Sequence, residues 1–263
     1  RKLIQEKYGF SIHEVTDAPR QFVAETYFLE TETGVRYFCK IISRPLFIPQ
    51  VIDSLPVLHE LHLRGLNFIG YPIETLSKGL FVLHDNQLIA IFNYIDAHQA
   101  YTYSNRILGQ RIGDVHALTP RITVAMPSET YIFKYDDKLE VRLLEILSNR
   151  SGHPLLNSLA KLMGHFEAEI RHDWHRFLEI SRQLKALPRP MVITHGDAPG
   201  NVLVKSPEEI FLIDWDDILL APPERDLWFL QGKPDFIAGY REVYPEYQPH
   251  ELTRQFYIYS RYF

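Results

Sequence analysis

The chain has 263 residues, enough for one or two closely packed domains around a sizeable core. Hydrophobic residues make up 46% and charged residues 23%, a globular balance that excludes disorder over most of the length. The formal net charge of −5 argues against a nucleic-acid partner and suits a cationic ligand. Cys39 is the single cysteine, so no internal disulfide is possible, and a reducing, cytoplasmic location is expected. No apolar run is long enough to span a bilayer, and Arg1-Lys2-Leu3-Ile4 is not followed by a signal-like stretch, so no membrane partner is expected. The first residue is Arg and the last eight are mostly aromatic, so both ends are expected to be trimmed and the last helix incomplete.

Residues 1–10 read as a short helix stopped by Gly9. Residues 21–29 and 35–42, rich in β-branched and aromatic side chains, flank a turn at 30–34 and predict a hairpin. Asp53 or Ser54 caps a predicted helix running to Arg64, with Gly65 beyond it. Residues 79–83 and 88–95 predict two strands around a turn at Asp85-Asn86. The pattern then becomes helical. Ile107, Leu108, Ile112, Val115 and Leu118 recur at helical spacing within 104–118. Further helices are expected over 137–147 and 155–187, the second broken at Gly164 or near Trp174. Short strands follow at 191–194, 201–204 and 210–213, then helices at 224–230, 235–243 and from 251 onward. A boundary near 96–102 divides a β-rich part, 1–96, from a mainly helical part, 97–263, and clefts between such parts favour ligands.

Two segments carry the chemistry. In the first, Thr194-His195-Gly196-Asp197-Ala198-Pro199-Gly200-Asn201, a strand enters a turn bearing Asp197 and Asn201. A carboxylate there can orient a hydroxyl or accept its proton, and an Asn oxygen suits Mg²⁺. Taken singly, both are also ordinary turn formers. In the second, Ile210-Phe211-Leu212-Ile213 leads into Asp214-Trp215-Asp216-Asp217, a carboxylate cluster that is either a cation site or a solvated loop. A hairpin path from Asn201 to Asp214 would bring both segments to one edge. Phosphoryl transfer needs that combination, together with a cation for the phosphates.

His195-Gly196-Asp197…Asn201 resembles the catalytic-loop motif of the aminoglycoside phosphotransferases, relatives of the protein kinases. Ile213-Asp214-Trp215-Asp216 resembles their metal-binding motif, and Ala221-Pro222-Pro223-Glu224-Arg225-Asp226-Leu227-Trp228 the signature that follows. The spectinomycin-type branch is the most similar. The resemblance implies an α+β, bilobal kinase-like fold, with 1–96 as nucleotide lobe and 97–263 as catalytic and acceptor lobe. It implies Asp197 as catalytic base, Asn201 and Asp214 as Mg²⁺ ligands, and His195 and Asp226 as supports of the loop, while Asp216 and Asp217 face either substrate or solvent. Lys40, alternating with apolar neighbours in Arg36-Tyr37-Phe38-Cys39-Lys40-Ile41, would hold the α- and β-phosphates; read without the resemblance it is a surface lysine with a packed stem. Glu60, otherwise an exposed helix residue, would pair with Lys40. Ile91-Phe92-Asn93-Tyr94-Ile95-Asp96 resembles the hinge, with adenine read by the backbone at Asn93 and Ile95. The implied partners are ATP or GTP with Mg²⁺, and a small-molecule hydroxyl acceptor of cationic character. A metabolic kinase for choline, homoserine or a sugar shares these motifs, and an inactive binding relative is a third reading.

Two features depart from the family pattern. Three residues rather than four separate Asp197 from Asn201, and the expected phosphate-covering segment 16–22 contains no glycine. In that segment Arg20 reads as a phosphate contact or a surface residue. His59/His62 and His172/His175 share a spacing of three, but no companion ligands complete a zinc motif. Tyr101, Tyr103, Tyr240, Tyr244 and Tyr247 read as pocket lining or packing, and Cys39 as a small packed hydrophobe.

Overall fold

A computed structural model describes residues 1–19, 23–100, 102–132, 138–149 and 151–263. Arg20, Gln21, Tyr101 and Asp137, which figured in the sequence expectations, lie outside the described residues. Helix α1 (Lys2–Tyr8) ends at Gly9, whose φ of 77° lets its N–H reach Gln5 O at 3.0 Å. An antiparallel sheet follows in the order β1-β2-β3-β5-β4, built from β1 (Ile12–Asp17), β2 (Glu25–Thr31), β3 (Arg36–Ile42), β4 (Val82–His84) and β5 (Gln87–Asn93). Asp85 and Asn86, at φ 49° and 62°, make the tight β4–β5 turn that the sequence predicts. Strand alternation sorts the two faces. Cys39, Ile89 and Ile91 pack beneath Ile4 and Tyr8 of α1, whereas Ile42, Leu88 and Ala90 pack against Val51 and Leu55 of α2 (Ile48–Leu63). Lys40, opposite Ala90, shares the face of Ile42.

Helix α2 begins five residues before the expected cap at Asp53. Proline occupies its first turn, where a missing N–H costs nothing, and Ser54 turns its hydroxyl back to Val51 O at 2.9 Å instead of capping. The 66–70 connection then crosses into the second part of the molecule.

That part contains α3 (Asn105–Leu118), α4 (Leu139–Leu147), α5 (Pro154–His165), α6 (Glu167–Lys185), α7 (Glu224–Leu227), α8 (Pro234–Val243) and α9 (Glu251–Tyr262). Short strands β6 (His98–Gln99), β7 (Val192–Thr194), β8 (Val202–Ser206), β9 (Glu209–Leu212) and β10 (Leu219–Ala221) form β6-β8-β9 and β10-β7 sheets. The expected long helix over 155–187 breaks at Phe166, just past Gly164, and runs unbroken through buried Trp174. The main core joins Leu58 and Leu61 of α2 to Ile112 of α3, Leu212 of β9 and Tyr240 of α8.

Helices α3 and α8 meet backbone to backbone. A Cβ at Gly109 would strike the carbonyl of Phe236, and one at Gly239 the carbonyl of Arg106. Arg106 and Glu242 close one end of the contact with an ion pair. A side chain at either glycine must push the helices apart. Gly239→Ala is therefore expected to destabilise the protein by about 1–3 kcal/mol, measured as a lowered midpoint of denaturant unfolding at unchanged slope.

Candidate active site

Strand β7 delivers His195, Gly196 and Asp197, and the 198–200 turn returns the chain into β8. Strands β8 and β9 pair antiparallel with Val202 opposite Leu212, and Ile213 N–H donates to Asn201 O at 3.0 Å. Asn201 and Asp214 thus emerge side by side, as the sequence reading requires. The one-residue shortening of the loop is absorbed by a tight turn. Asn201 N–H donates to Ala198 O at 3.0 Å, and its Nδ2 donates to Asp197 O at 2.9 Å, which fixes the side chain. Asp214 sits at φ 62°, a left-handed conformation that Asp tolerates better than most residues and that tends to mark functional positions.

These groups border a cleft of about 520 Å³ lined by Lys40, Asn93, Ile95, Asn201, Asp214 and Asp216, among others. Phe28, Phe38 and Phe92 supply apolar walls from the sheet, and Leu203 and Ile213 supply them from the other part. Asp197 is exposed and stands outside that lining, on the same loop as Asn201. Asn93 N–H donates to Tyr71 O at 3.1 Å and its Oδ1 accepts from Tyr71 N–H at 2.7 Å, so both of these groups are already engaged. The Ile95 carbonyl already accepts from Ala97 N–H at 2.9 Å.

The side chain of Lys40 is only 4% exposed, and its ammonium contacts Asp216 Oδ2 at 2.5 Å and Asp214 Oδ1 at 2.9 Å. Burial alone would lower its pKa. The two carboxylates outweigh that effect and hold it above the ordinary lysine value. Burial likewise pushes the Asp216 carboxyl up, opposed by Lys40 and reinforced by Asp214. The expected Lys40–Glu60 pair does not form. Glu60 accepts instead from Thr123 N–H at 2.9 Å, Val124 N–H at 3.2 Å and Arg64 Nη2 at 2.9 Å. Its carboxylate ties α2 to the 123–124 segment, whereas Leu58 is the α2 residue that lines the cleft.

Behind the loop lies a buried clamp. Asp226 Oδ1 accepts from Gly196 N–H at 2.5 Å, and Oδ2 accepts from His195 N–H at 2.9 Å. The ring of His116 on α3 bridges Asp226 Oδ2 at 3.1 Å and the Tyr240 hydroxyl on α8 at 2.7 Å. With Nε2–H donating to the carboxylate, Nδ1 accepts from the tyrosine. His195 contributes Nε2 to Ile213 O at 2.8 Å and accepts Asp197 N–H on Nδ1 at 3.3 Å, so it ties the Asp197 turn to the Asp214 strand end. Arg225 donates to Thr194 Oγ1 at 2.8 Å and Asp217 O at 3.0 Å, and Arg261 of α9 donates to Gly196 O at 2.6 Å. Asp226 and His195 take the supporting places expected of them; Tyr240, expected as pocket lining or packing, and Arg225, expected only as part of the 221–228 signature, also belong to the clamp, while His116 and Arg261 carry no expectation. The one available signal was a polar His116 among the buried positions of α3.

Of the remaining candidates, His172 and His175 are exposed, and several others serve packing. The His62 ring stacks on Tyr71 with centroids 3.5 Å apart, Tyr240 and Tyr247 are buried, and burial pushes the Cys39 thiol up to about 12. Among the described residues no three His, Cys, Asp or Glu side chains gather as a metal cage. Asn201 and Asp214 nevertheless fit Mg²⁺, which takes one or two protein oxygens and completes its shell with water and phosphate.

Burial disfavours ionisation of Asp226, but His116, Arg225 and His195 together hold its carboxyl below the usual 3.8. A depressed folded pKa gives stability that is full above the unfolded value and lost as pH falls through the folded one. Acid unfolding below about pH 4 is expected to draw on this group. Asp226→Asn should flatten that limb of a stability–pH curve and cost about 3–5 kcal/mol at neutral pH.

Residues 14–255 match the sequence pattern of the phosphotransferase enzyme family (APH). Protein StrN of Streptomyces griseus is 30% identical over 149 residues, 51% of this chain and 46% of that protein, so the match spans about half of the curated relative. The AMP-bound complex of spectinomycin phosphotransferase APH(9)-Ia is similar with a TM-score of 0.75 and 25% identity, over 99% of this chain and 84% of that one. Choline kinase LicA from Streptococcus pneumoniae shares the fold, with a TM-score of 0.60 and 14% identity over 98% and 84% of the two chains. With the pattern matched along nearly its whole length and the kinase-like fold in place, the chain belongs to the phosphotransferase enzyme family.

Proposed function

We propose that the chain transfers the γ-phosphoryl group of ATP or GTP, with Mg²⁺, to a hydroxyl of an aminoglycoside or aminocyclitol of the spectinomycin type. The observation that carries this reading is the convergence of Lys40, Asn201 and Asp214 on one cleft, with Asp197 at its outer edge on the same loop. In this reading residues 1–96 hold the nucleotide and 97–263 supply the catalytic loop and the acceptor face. The base enters between Phe28, Phe38, Leu203 and Ile213, and the Asn93 carbonyl and Ile95 N–H read its edge. Lys40 exchanges its carboxylate partners for the α- and β-phosphates. Asn201 and Asp214 would hold Mg²⁺, which neutralises charge on the triphosphate. Asp197 orients the acceptor hydroxyl towards the γ-phosphorus and takes its proton, while the Asp226 clamp keeps the loop backbone rigid. Positioning and charge stabilisation then account for most of the acceleration.

The carboxylates 214, 216 and 217, with the net charge of −5, support a cationic acceptor. The likeness to spectinomycin phosphotransferase supports an aminocyclitol first. The fold shared with choline kinase supports choline as the second acceptor to test. An inactive relative is disfavoured because the shortened loop still presents Asn201 to the cleft.

Nucleoside diphosphate release, measured across aminocyclitols, aminoglycosides, choline, homoserine and sugars, is expected to depend on the acceptor and to be fastest with an aminocyclitol. Asp197→Asn should lower kcat by about 10²–10⁴-fold while Mg-nucleotide affinity stays within about threefold. Turnover unchanged in that variant would remove Asp197 from the mechanism, and release with choline alone would reassign the acceptor.

A further inference from the structure

Behind the nucleotide cleft lies a second cavity, of about 590 Å³, which none of the roles above uses. Three arginines reach it from three elements: Arg64 from the end of α2, Arg111 from α3, and Arg121 just beyond α3. They differ in how well they are satisfied. Arg64 is held by Glu60 at 2.9 Å. Arg111 lies over the Phe68 ring at 4.5 Å, reaches Asp114 only at 3.5 Å, and leaves its Nε buried without a hydrogen-bond partner. Arg121 is exposed and has no side-chain partner among the described residues. The acidic groups of the lining do not cancel this charge: Asp114 stands against Arg111 alone, and Glu209 is neutralised by Lys205 at 3.0 Å. Apart from Asn67 the remaining wall is apolar, formed chiefly by Phe68, Leu118 and Phe211.

A guanidinium pairs best with a planar carboxylate or a phosphate, and two under-satisfied guanidinia beside aromatic walls select a ligand with both characters. We infer that this cavity binds a small amphipathic anion, an apolar ring or chain carrying one phosphate or carboxylate, with the anionic group at Arg111 and Arg121 and the apolar body against Phe68 and Phe211.

The two cavities share their partitions. The connection carrying Phe68 on one side carries Gly70 on the other. Strand β9 carries Ile210 and Phe211 behind and leads to Ile213 and Asp214 in front, and α2 contributes Arg64 behind and Leu58 in front. The connection and β9 are joined by Leu212 N–H to Phe68 O at 2.8 Å and Gly70 N–H to Leu212 O at 3.2 Å. An anion seated behind therefore bears on the strand that leads to Asp214, and any effect on nucleotide affinity must be reciprocal.

The test is calorimetric titration of the whole chain with phenyl phosphate, benzoate and inorganic phosphate. Saturable binding of phenyl phosphate, about tenfold tighter than inorganic phosphate, is expected from burial of the ring. Arg121→Ala, at an exposed position, should keep the native melting profile and weaken phenyl phosphate about tenfold or more, as loss of a charged hydrogen bond does. Asp114→Asn, which removes the competing carboxylate, should tighten it severalfold. Lack of saturation below roughly 10 mM, or binding that Arg121→Ala leaves unchanged, would overturn the assignment. The second result would place the anion in the nucleotide cleft, which Arg121 does not line.

Discussion

A lysine ammonium buried to 4% exposure cannot remain charged without counter-charges at contact distance, and this constraint organises the cleft. Lys40 stands on β3, and its two carboxylates stand just beyond β9, more than 170 residues later in the chain. Satisfying one cation therefore requires the sheet and the helical part to meet at this cleft. Removing one partner of such a group typically costs about 3–5 kcal/mol. The geometry that prepares the site is thus also part of what holds the two parts together. In the proposed function a triphosphate takes the place of these carboxylates by bringing equivalent negative charge.

The acceptor side follows a different principle. Asp197 is exposed and makes few contacts of its own, so its position depends on the backbone around it. That backbone is held from behind by Asp226, Asp226 by His116, and His116 by Tyr240. His116 and Tyr240 belong to the two helices whose glycines allow backbone contact, so the close approach of α3 and α8 is transmitted to the loop through three hydrogen bonds. In the proposed mechanism the Asp197 carboxylate stays free for the acceptor, while Asp226, His116 and Tyr240 hold its loop from behind.

Much of this was legible in the amino-acid sequence wherever the signal is local. Asp85-Asn86 marks a turn through its backbone preferences, and β8 and β9 are short enough that Asn201 and Asp214 must end together. Strand β1 escaped because only Ile12 of its six residues is buried, so no alternation betrays it. Strands β6 and β10 are two and three residues long, too short for any pattern. Helix α2 starts earlier than the cap-like polar pair at 53–54 suggests, because proline opens its first turn. Glu60 shows the deeper limit. Sequence spacing places it on the correct helix but says nothing about how that helix is rotated in the fold, and the carboxylates that reach Lys40 come from elsewhere. The clamp through His116 and Tyr240 lay beyond reach for the same reason.

The central claim is that the Lys40–Asp214 cleft takes a metal–nucleoside triphosphate. Its most direct test is calorimetric titration of ATP and of GTP into the protein, with and without Mg²⁺, repeated on Asp214→Asn. The account predicts saturable binding of at least one nucleotide that strengthens with Mg²⁺ and loses that Mg²⁺ dependence in the variant. Failure of both nucleotides to bind the wild-type protein, or binding indifferent to Mg²⁺ and to Asp214, would contradict it.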